Sequence, residues 1–298
     1  MAERRIICFG DSFTLGEGAN LKLTREIENM FKDDKNGHEK SSGMVAEINK
    51  KLSWTQFLCD SYRVPVINLG ESGASNLKIF NTIFYFEANE PTPFTSKDLV
   101  IIMWSSSVRN KLPFFPEIYS EQGPIGAGWS LKELMGKDGL QAFTDRYYRQ
   151  HSSNAHTSYV KETLQPFMSE YFKTYITELH DDSFYNTVNL NLVKFVQEFF
   201  KSKNIPCIMI DAFERMDSFK PKGDRKWNTL VDPTNYLWFG ESTLWDELNK
   251  IGGDIWEDRE LSYSPDGQRC HPNLEGYKLA GKFIKEHIDK KIWGKSAI

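Results

Sequence analysis

The sequence of residues 5–18 is RIICFGDSFTLGEG, and this stretch decides the fold of the chain. Its first part, Ile6 to Phe9, is apolar and β-prone, which is typical of a buried strand. A glycine, an aspartate and Ser12 follow, and then small, flexible residues. This order predicts a strand that ends in a turn and presents one hydroxyl group at the carboxyl edge of a sheet, where ligands collect in open α/β folds. Ser12 is therefore either a nucleophile, if a base is supplied from elsewhere, or an ordinary helix N-cap.

Further strands of the same sheet are predicted at residues 64–69, 98–104 and 207–211. The second of these is almost continuously apolar, as expected for a central parallel strand that is buried on both faces. Helical spacing or a capping pattern predicts helices at 53–62, 75–87, 187–200 and 274–290. The alternation of strands and helices predicts an α/β fold with a mostly parallel sheet.

The chain length of 298 residues is long for one domain but suits a single α/β domain that carries insertions. We expect one domain over 1–298 with insertions at about 19–52, 111–187 and 213–262. The first insertion is polar at its centre and is predicted to be solvated, with helical flanks near 21–31 and 44–51. It does not fit a calcium loop, because Lys32 stands where the first carboxylate is required.

Composition excludes several classes of function. The 37 basic and 41 acidic residues give a net charge of −4, which is not the electrostatic footprint of a nucleic-acid-binding protein. No apolar run approaches the roughly 18 residues of a membrane span. The N-terminal residues lead directly into the first strand without a signal-peptide core, so we expect a cytoplasmic protein. The four cysteines are scattered without metal-ligand spacing, which predicts no metal site, and the oligomeric state is left open.

Two motifs at opposite ends of the chain resemble one known family. Gly10-Asp11-Ser12-Phe13 is similar to the first block of the GDSL, or SGNH, hydrolases, and only its fourth letter differs from the name motif. Residues 264–277, SPDGQRCHPNLEGY, are similar to the last block, in which an Asp precedes His-Pro-Asn and a Gly-Tyr opens the final helix. The resemblance covers about 1–18, 53–110, 188–212 and 264–290. It implies a three-layer α/β/α sandwich of the flavodoxin-like type and a serine esterase or lipase activity that needs no cofactor.

The resemblance also implies a catalytic triad of Ser12, His271 and Asp266. Asp266 lies five residues before the histidine, whereas the family's usual spacing is three, so the loop between them would have to bulge. Asp211, at the end of a predicted strand, is the back-up candidate for the acid. Judged from the residues alone, Asp211 is either a polar residue at the carboxyl edge of the sheet or a helix cap.

The resemblance also implies an oxyanion hole with donors from three loops, and the sequence of one of these loops departs from the family pattern. The backbone N–H groups of Ser12 and Gly73 match the family pattern, although Gly73 is also explained as a turn glycine. The third block normally carries Gly-x-Asn-Asp, and its asparagine position is occupied here by Ser107, with Asn110 three residues later. Losing one oxyanion donor typically costs ~10²–10³ in rate, so this departure matters for activity.

The sequence therefore predicts an ester hydrolase of the carboxylesterase or acetylesterase type, acting on a small-molecule or carbohydrate ester. O-acetyl groups on a carbohydrate are one candidate substrate, suggested only by analogy and by the aromatic residues of 213–262. These include Trp227, Trp238, Trp245 and Trp256. One alternative is a catalytically impaired scaffold that binds carbohydrate or protein, favoured by the missing asparagine and the long Asp–His spacing. The other is a lipase or acyltransferase of the same family.

Overall fold

The computed structural model describes residues 4–34, 37–105, 182–213, 215, 231–257 and 271–292. The strands of one sheet within them are β1 (Ile6–Gly10), β2 (Val66–Gly70), β3 (Leu99–Trp104), β4 (Cys207–Asp211) and β5 (Tyr236–Leu237). All neighbouring strands pair in parallel, in the order β2-β1-β3-β4-β5. This is the flavodoxin-like strand order, which confirms the predicted fold class.

The helices of the described residues flank this sheet. They are α1 (Ser12–Leu15), α2 (Leu21–Phe31), α3 (Gly37–Leu52), α4 (Trp54–Tyr62), α5 (Asn76–Asn89), α6 (Asp182–Ser202), α7 (Leu244–Ile251) and α8 (Leu274–His287). The last helix continues as a π-helical stretch over Ile288–Ile292. None of the helices in the described ranges is both long and apolar enough to cross a bilayer.

Two hydrophobic cores lie on opposite faces of the sheet, because successive side chains of a strand alternate between faces. Ile6 and Cys8 of β1 pack with residues of α4 and α8 on one face. Ile7 and Phe9 pack with residues of α5 and α6 on the other. The arrangement is a three-layer sandwich, and burial on both faces is the reason that the central strands are continuously apolar.

Two sequence-based predictions about this fold were wrong in part. The second helix of the first insertion was predicted near 44–51, but α3 begins at Gly37, and most of the described centre is exposed as predicted. The buried positions described in the missed part of this helix are Gly37 and Ser41, so its first turns show no apolar spacing. The strand β5 lies within the insertion predicted at 213–262 and was not predicted, because two residues are too short to form a recognisable pattern. Of the predicted insertion 111–187, only 182–187 lie within the described residues, and they begin α6.

The strand order places a crevice at the carboxyl ends of β1 and β3. The chain leaves β1 toward β2 on one side, and β3 lies on the other side, so the connections diverge at this point. Ligands in open α/β sheets bind at such a switch point. Ser12 follows β1 and Ser105 follows β3, so both lie at this edge.

Candidate active site

Ser12 is the first residue of the one-turn helix α1, directly after β1. The carboxylate of Asp11 caps this helix by accepting a hydrogen bond from the Phe13 N–H at 3.0 Å. Such a cap satisfies an amide that has no partner within the helix. Ser12 is only 2% exposed, so the residue is almost fully shielded from solvent.

Neighbouring elements fix the short helix α1 through its carbonyl groups. The indole N–H of Trp54 donates to the Phe13 carbonyl at 3.1 Å. The side-chain amide of Asn68 donates to the Thr14 carbonyl at 2.7 Å and lies 3.0 Å from the Thr55 hydroxyl oxygen. A helix this short leaves most of its carbonyls without intrahelical partners, so these bonds from α4 and β2 determine its position.

His271 lies on a short antiparallel pairing between residues 255–257 and 271–273. The backbone N–H of Glu257 donates to the His271 carbonyl at 2.9 Å. Immediately after this pairing, Asn273 caps α8 by accepting hydrogen bonds from two amides of its first turn. The histidine is thus held between a backbone pairing and a capped helix.

The structure brings Ser12 and His271 together across nearly the whole length of the chain. The Nε2 atom of His271 lies 3.0 Å from the Ser12 hydroxyl oxygen. Nε2 accepts from the hydroxyl when the imidazole proton is on Nδ1, so the tautomer depends on what faces Nδ1. The ring also lies against Phe13, with centroids 5.6 Å apart.

Glu257 faces the other ring nitrogen. Its Oε2 atom lies 3.5 Å from Nδ1 of His271, which is within ion-pair range but longer than a good hydrogen bond. The side chain is 2% exposed. Sequence reasoning missed this residue, because it belongs to no motif and lies near the end of the predicted insertion 213–262. Asp266, the predicted acid, lies outside the described residues.

The charges around the imidazole set its protonation. Burial alone would lower the pKa of His271, but the negative charges of Glu17, Glu257 and Asp11 outweigh burial and raise it above its usual value. A histidine acts as a base in its neutral form. The fraction of molecules in which His271 is neutral and can act as a base therefore grows as the pH rises through this raised pKa.

The loop after β2 forms the opposite wall of the crevice. Gly73 has φ +70°, a left-handed conformation that glycine adopts without steric cost. Three residues later, the Asn76 side chain donates to the Ser105 carbonyl at 3.1 Å and accepts from the Ser105 N–H at 2.8 Å. This pair joins the loop to the chain where it leaves β3. Ser107 and Asn110, the predicted third donors, lie outside the described residues.

Asp211 occupies a different part of the sheet. It ends β4, two strands away from β1 in the sheet order. Its carboxylate is buried and accepts a hydrogen bond from the Tyr236 hydroxyl. This bond places the back-up candidate for the acid beside β5, whereas Glu257 lies beside the imidazole.

Half-buried aromatic residues continue from Phe13 and form what we call the aromatic wall, consisting of Phe213, Trp245 and Trp256. The ring centroids of Phe213 and Phe13 lie 4.3 Å apart, and those of Trp245 and Trp256 lie 4.2 Å apart. Trp238 instead packs edge-on against Phe283 of α8, and Trp227 lies outside the described residues. Within the described parts of the chain, no group of three or more His, Cys, Asp or Glu residues is placed to bind a metal ion.

Replacing Asn76 by alanine should destabilise the protein by about 1–3 kcal/mol, because two buried backbone groups of Ser105 lose a partner. Urea unfolding measures the change. The matched control is Asn89→Ala at the exposed end of α5, where the side chain bonds only to the Tyr85 carbonyl among the described contacts and the cost should stay within about 0.5 kcal/mol. Equal losses in the two variants would contradict a structural role of the Asn76–Ser105 pair.

Comparisons with known proteins gave matches only among solved structures, and at low similarity. No protein-family model matches the chain, and neither does any curated protein. A solved structure described as a lipolytic protein of the G-D-S-L family, from Desulfitobacterium hafniense, has 13% identity and a TM-score of 0.31, covering 95% of this chain and 98% of that one. A second, from Veillonella parvula, has 15% identity and a TM-score of 0.33, covering 95% and 97%. TM-scores this low carry no argument, so the function rests on the geometry of the site.

Proposed function

We propose that this protein is a serine hydrolase that cleaves esters through an acyl-enzyme on Ser12. The observation that carries the proposal is the 3.0 Å distance between the Ser12 hydroxyl oxygen and Nε2 of His271 at the carboxyl edge of the sheet. A serine hydroxyl is a poor nucleophile at neutral pH and needs a base within hydrogen-bond reach. A buried serine beside an imidazole, at a switch point of an open sheet, meets that need.

In the proposed mechanism, Nε2 of His271 accepts the hydroxyl proton while the Ser12 oxygen attacks the ester carbonyl. The imidazolium then donates this proton to the departing alkoxide, which leaves as an alcohol and yields the acyl-enzyme. Water attacks the acyl-enzyme with His271 again as base, releasing the acid and restoring the hydroxyl. The N–H groups of Ser12 and Gly73, with a donor from 105–110, are the proposed oxyanion hole. Asp266 remains the motif-based candidate for the acid that orients the imidazole.

The proposed substrate is a small acyl ester on a sugar or another small molecule. The aromatic wall supports this choice, because Phe213 and Trp245 contact Phe13, the residue next to the nucleophile, and half-buried aromatic rings can pack against a sugar ring or an apolar group. The class of sugar esters itself comes from analogy. A lipase or an acyltransferase would use the same acyl-enzyme and differ in the acyl chain or the acceptor that it admits.

The first test is covalent labelling with a fluorophosphonate, in which the serine oxygen bonds to phosphorus and fluoride leaves. We expect one label per wild-type molecule at Ser12, found by peptide mass spectrometry, and none in Ser12→Ala. The matched control is Ser202→Ala at the exposed end of α6, which should label like the wild type. A panel of acetyl, butyryl and longer-chain esters then assigns the acyl length. A wild-type protein that neither labels nor turns over any ester would favour the alternative of a binding scaffold.

A further inference from the structure

We infer that Glu257, rather than Asp266, is the carboxylate that positions the imidazole of His271. This inference rests on the proposed function, since it assigns the third member of the same catalytic group. It departs from the motif, in which the acid precedes the histidine on the same loop.

The backbone places Glu257 beside the histidine independently of either side chain. Trp256 pairs with Pro272 in an antiparallel bridge, and the Glu257 N–H donates to the His271 carbonyl. On the other side of the bridge, the Asn273 N–H donates to the Ile255 carbonyl at 2.9 Å. Because residues opposite each other in such a pairing present neighbouring side chains, a carboxylate at position 257 comes next to an imidazole at position 271.

The chemistry of the contact suits an orienting role. A carboxylate at Nδ1 retains the proton on that nitrogen, which leaves the Nε2 lone pair free to accept the serine proton. It also stabilises the imidazolium that forms after proton transfer. The 3.5 Å separation is long for a hydrogen bond, but catalytic hydrogen bonds in unliganded sites are often long and tighten when substrate binds.

Burial favours the same assignment. The Glu257 side chain is 2% exposed, and a carboxylate in such a place is costly unless a cation or hydrogen-bond donors face it. The imidazolium formed during the reaction is one such cation, in addition to the other interactions of Glu257. The Glu257 charge is also one of those that raise the pKa of His271.

The other acidic residues that act on the imidazole have different partners. Asp11 accepts from the Phe13 N–H as the cap of α1. Glu17 accepts from the Ser72 hydroxyl at 2.7 Å, which joins the turn after α1 to the loop after β2. Neither has a described contact with Nδ1, whereas Glu257 has one.

The test compares Glu257→Gln with Asp266→Asn, two isosteric replacements of a carboxylate by an amide. We expect Glu257→Gln to lower kcat by about 10³-fold or more, on the scale of the loss of a triad acid in serine proteases, and Asp266→Asn to stay close to the wild type. The acidic limb of the kcat/KM profile should move to lower pH in Glu257→Gln, because loss of the negative charge lowers the pKa of His271. A structural role alone would not move this limb. Glu257→Asp retains the charge and should recover part of the activity.

Two outcomes would overturn the inference while leaving the proposed function intact. One is a collapse of kcat in Asp266→Asn with little change in Glu257→Gln, while Ser12 still labels with the phosphonate. The other comes from proton NMR of the wild-type protein, which needs no variant and so does not depend on the folding of one. The inference predicts cross-peaks between the Nδ1 proton of His271 and the methylene protons of Glu257. Cross-peaks to Asp266 instead would assign the acid to the motif. Loss of labelling at Ser12 itself would contradict the proposed function.

Discussion

Ser12→Ala and His271→Ala should each lower kcat for an activated acetyl ester by about 10⁴–10⁶-fold, and the double variant should lose no more than the worse single variant. The reason is that the hydroxyl and the imidazole, 3.0 Å apart, perform one step together. Once either is missing, the proton transfer that activates the oxygen no longer occurs, so removing the other costs nothing further. Steady-state kinetics of the three variants at one pH measures this non-additivity.

The control for this experiment is His287→Ala, which removes another partly buried histidine from the far end of α8. Its turnover should match the wild type, and circular dichroism should show that all four proteins retain their helical content. Two results would contradict the proposal. Losses that multiply in the double variant would mean that the residues act in separate steps, and unchanged turnover in Ser12→Ala would mean that another group is the nucleophile.

The strands that build the sheet were predictable because both of their faces are buried. The segments for β3 and β4 were predicted within one residue of their bounds, since a strand between two helical layers is continuously apolar. The start of α3 was not predicted, because its first described buried positions, Gly37 and Ser41, are not apolar. Hydrophobic periodicity detects only elements whose buried side is apolar.

The same distinction applies to the candidate site. Ser12 and His271 stand in local motifs, each next to an element that the sequence indicates, so the family resemblance of the two motifs led us to expect their approach. Glu257 has no local signal, because its position is set by a backbone pairing with residues 271–273, across the intervening loop. A contact that depends on such a pairing leaves no spacing rule in the sequence. It becomes visible only when the chain is folded.

Gly18→Ala should lower kcat by about 10²-fold, because a small misplacement of the catalytic groups costs about that much. Gly18 has φ +87°, and a methyl group there would lie 2.5 Å from the Cβ of His271 and 2.9 Å from Oε2 of Glu257. Relief of this overlap requires His271 or the turn that carries Gly18 to shift, and we expect the shift to change the distance between the imidazole and the Ser12 hydroxyl. Overpacking and left-handed strain together should also lower the free energy of unfolding by about 2–4 kcal/mol.

The control for the Gly18 experiment is Gly253→Ala, which separates backbone strain from steric overlap. Gly253 has φ +83°, nearly the same conformation, but a Cβ there would meet no atom within 4 Å. It should therefore lose about 1 kcal/mol of stability from the left-handed backbone alone and keep its turnover. If both variants lose activity equally, the strained backbone explains the effect and the packing of Gly18 against the histidine is irrelevant. If Gly18→Ala keeps full activity while still binding the phosphonate, the imidazole is not held by this contact.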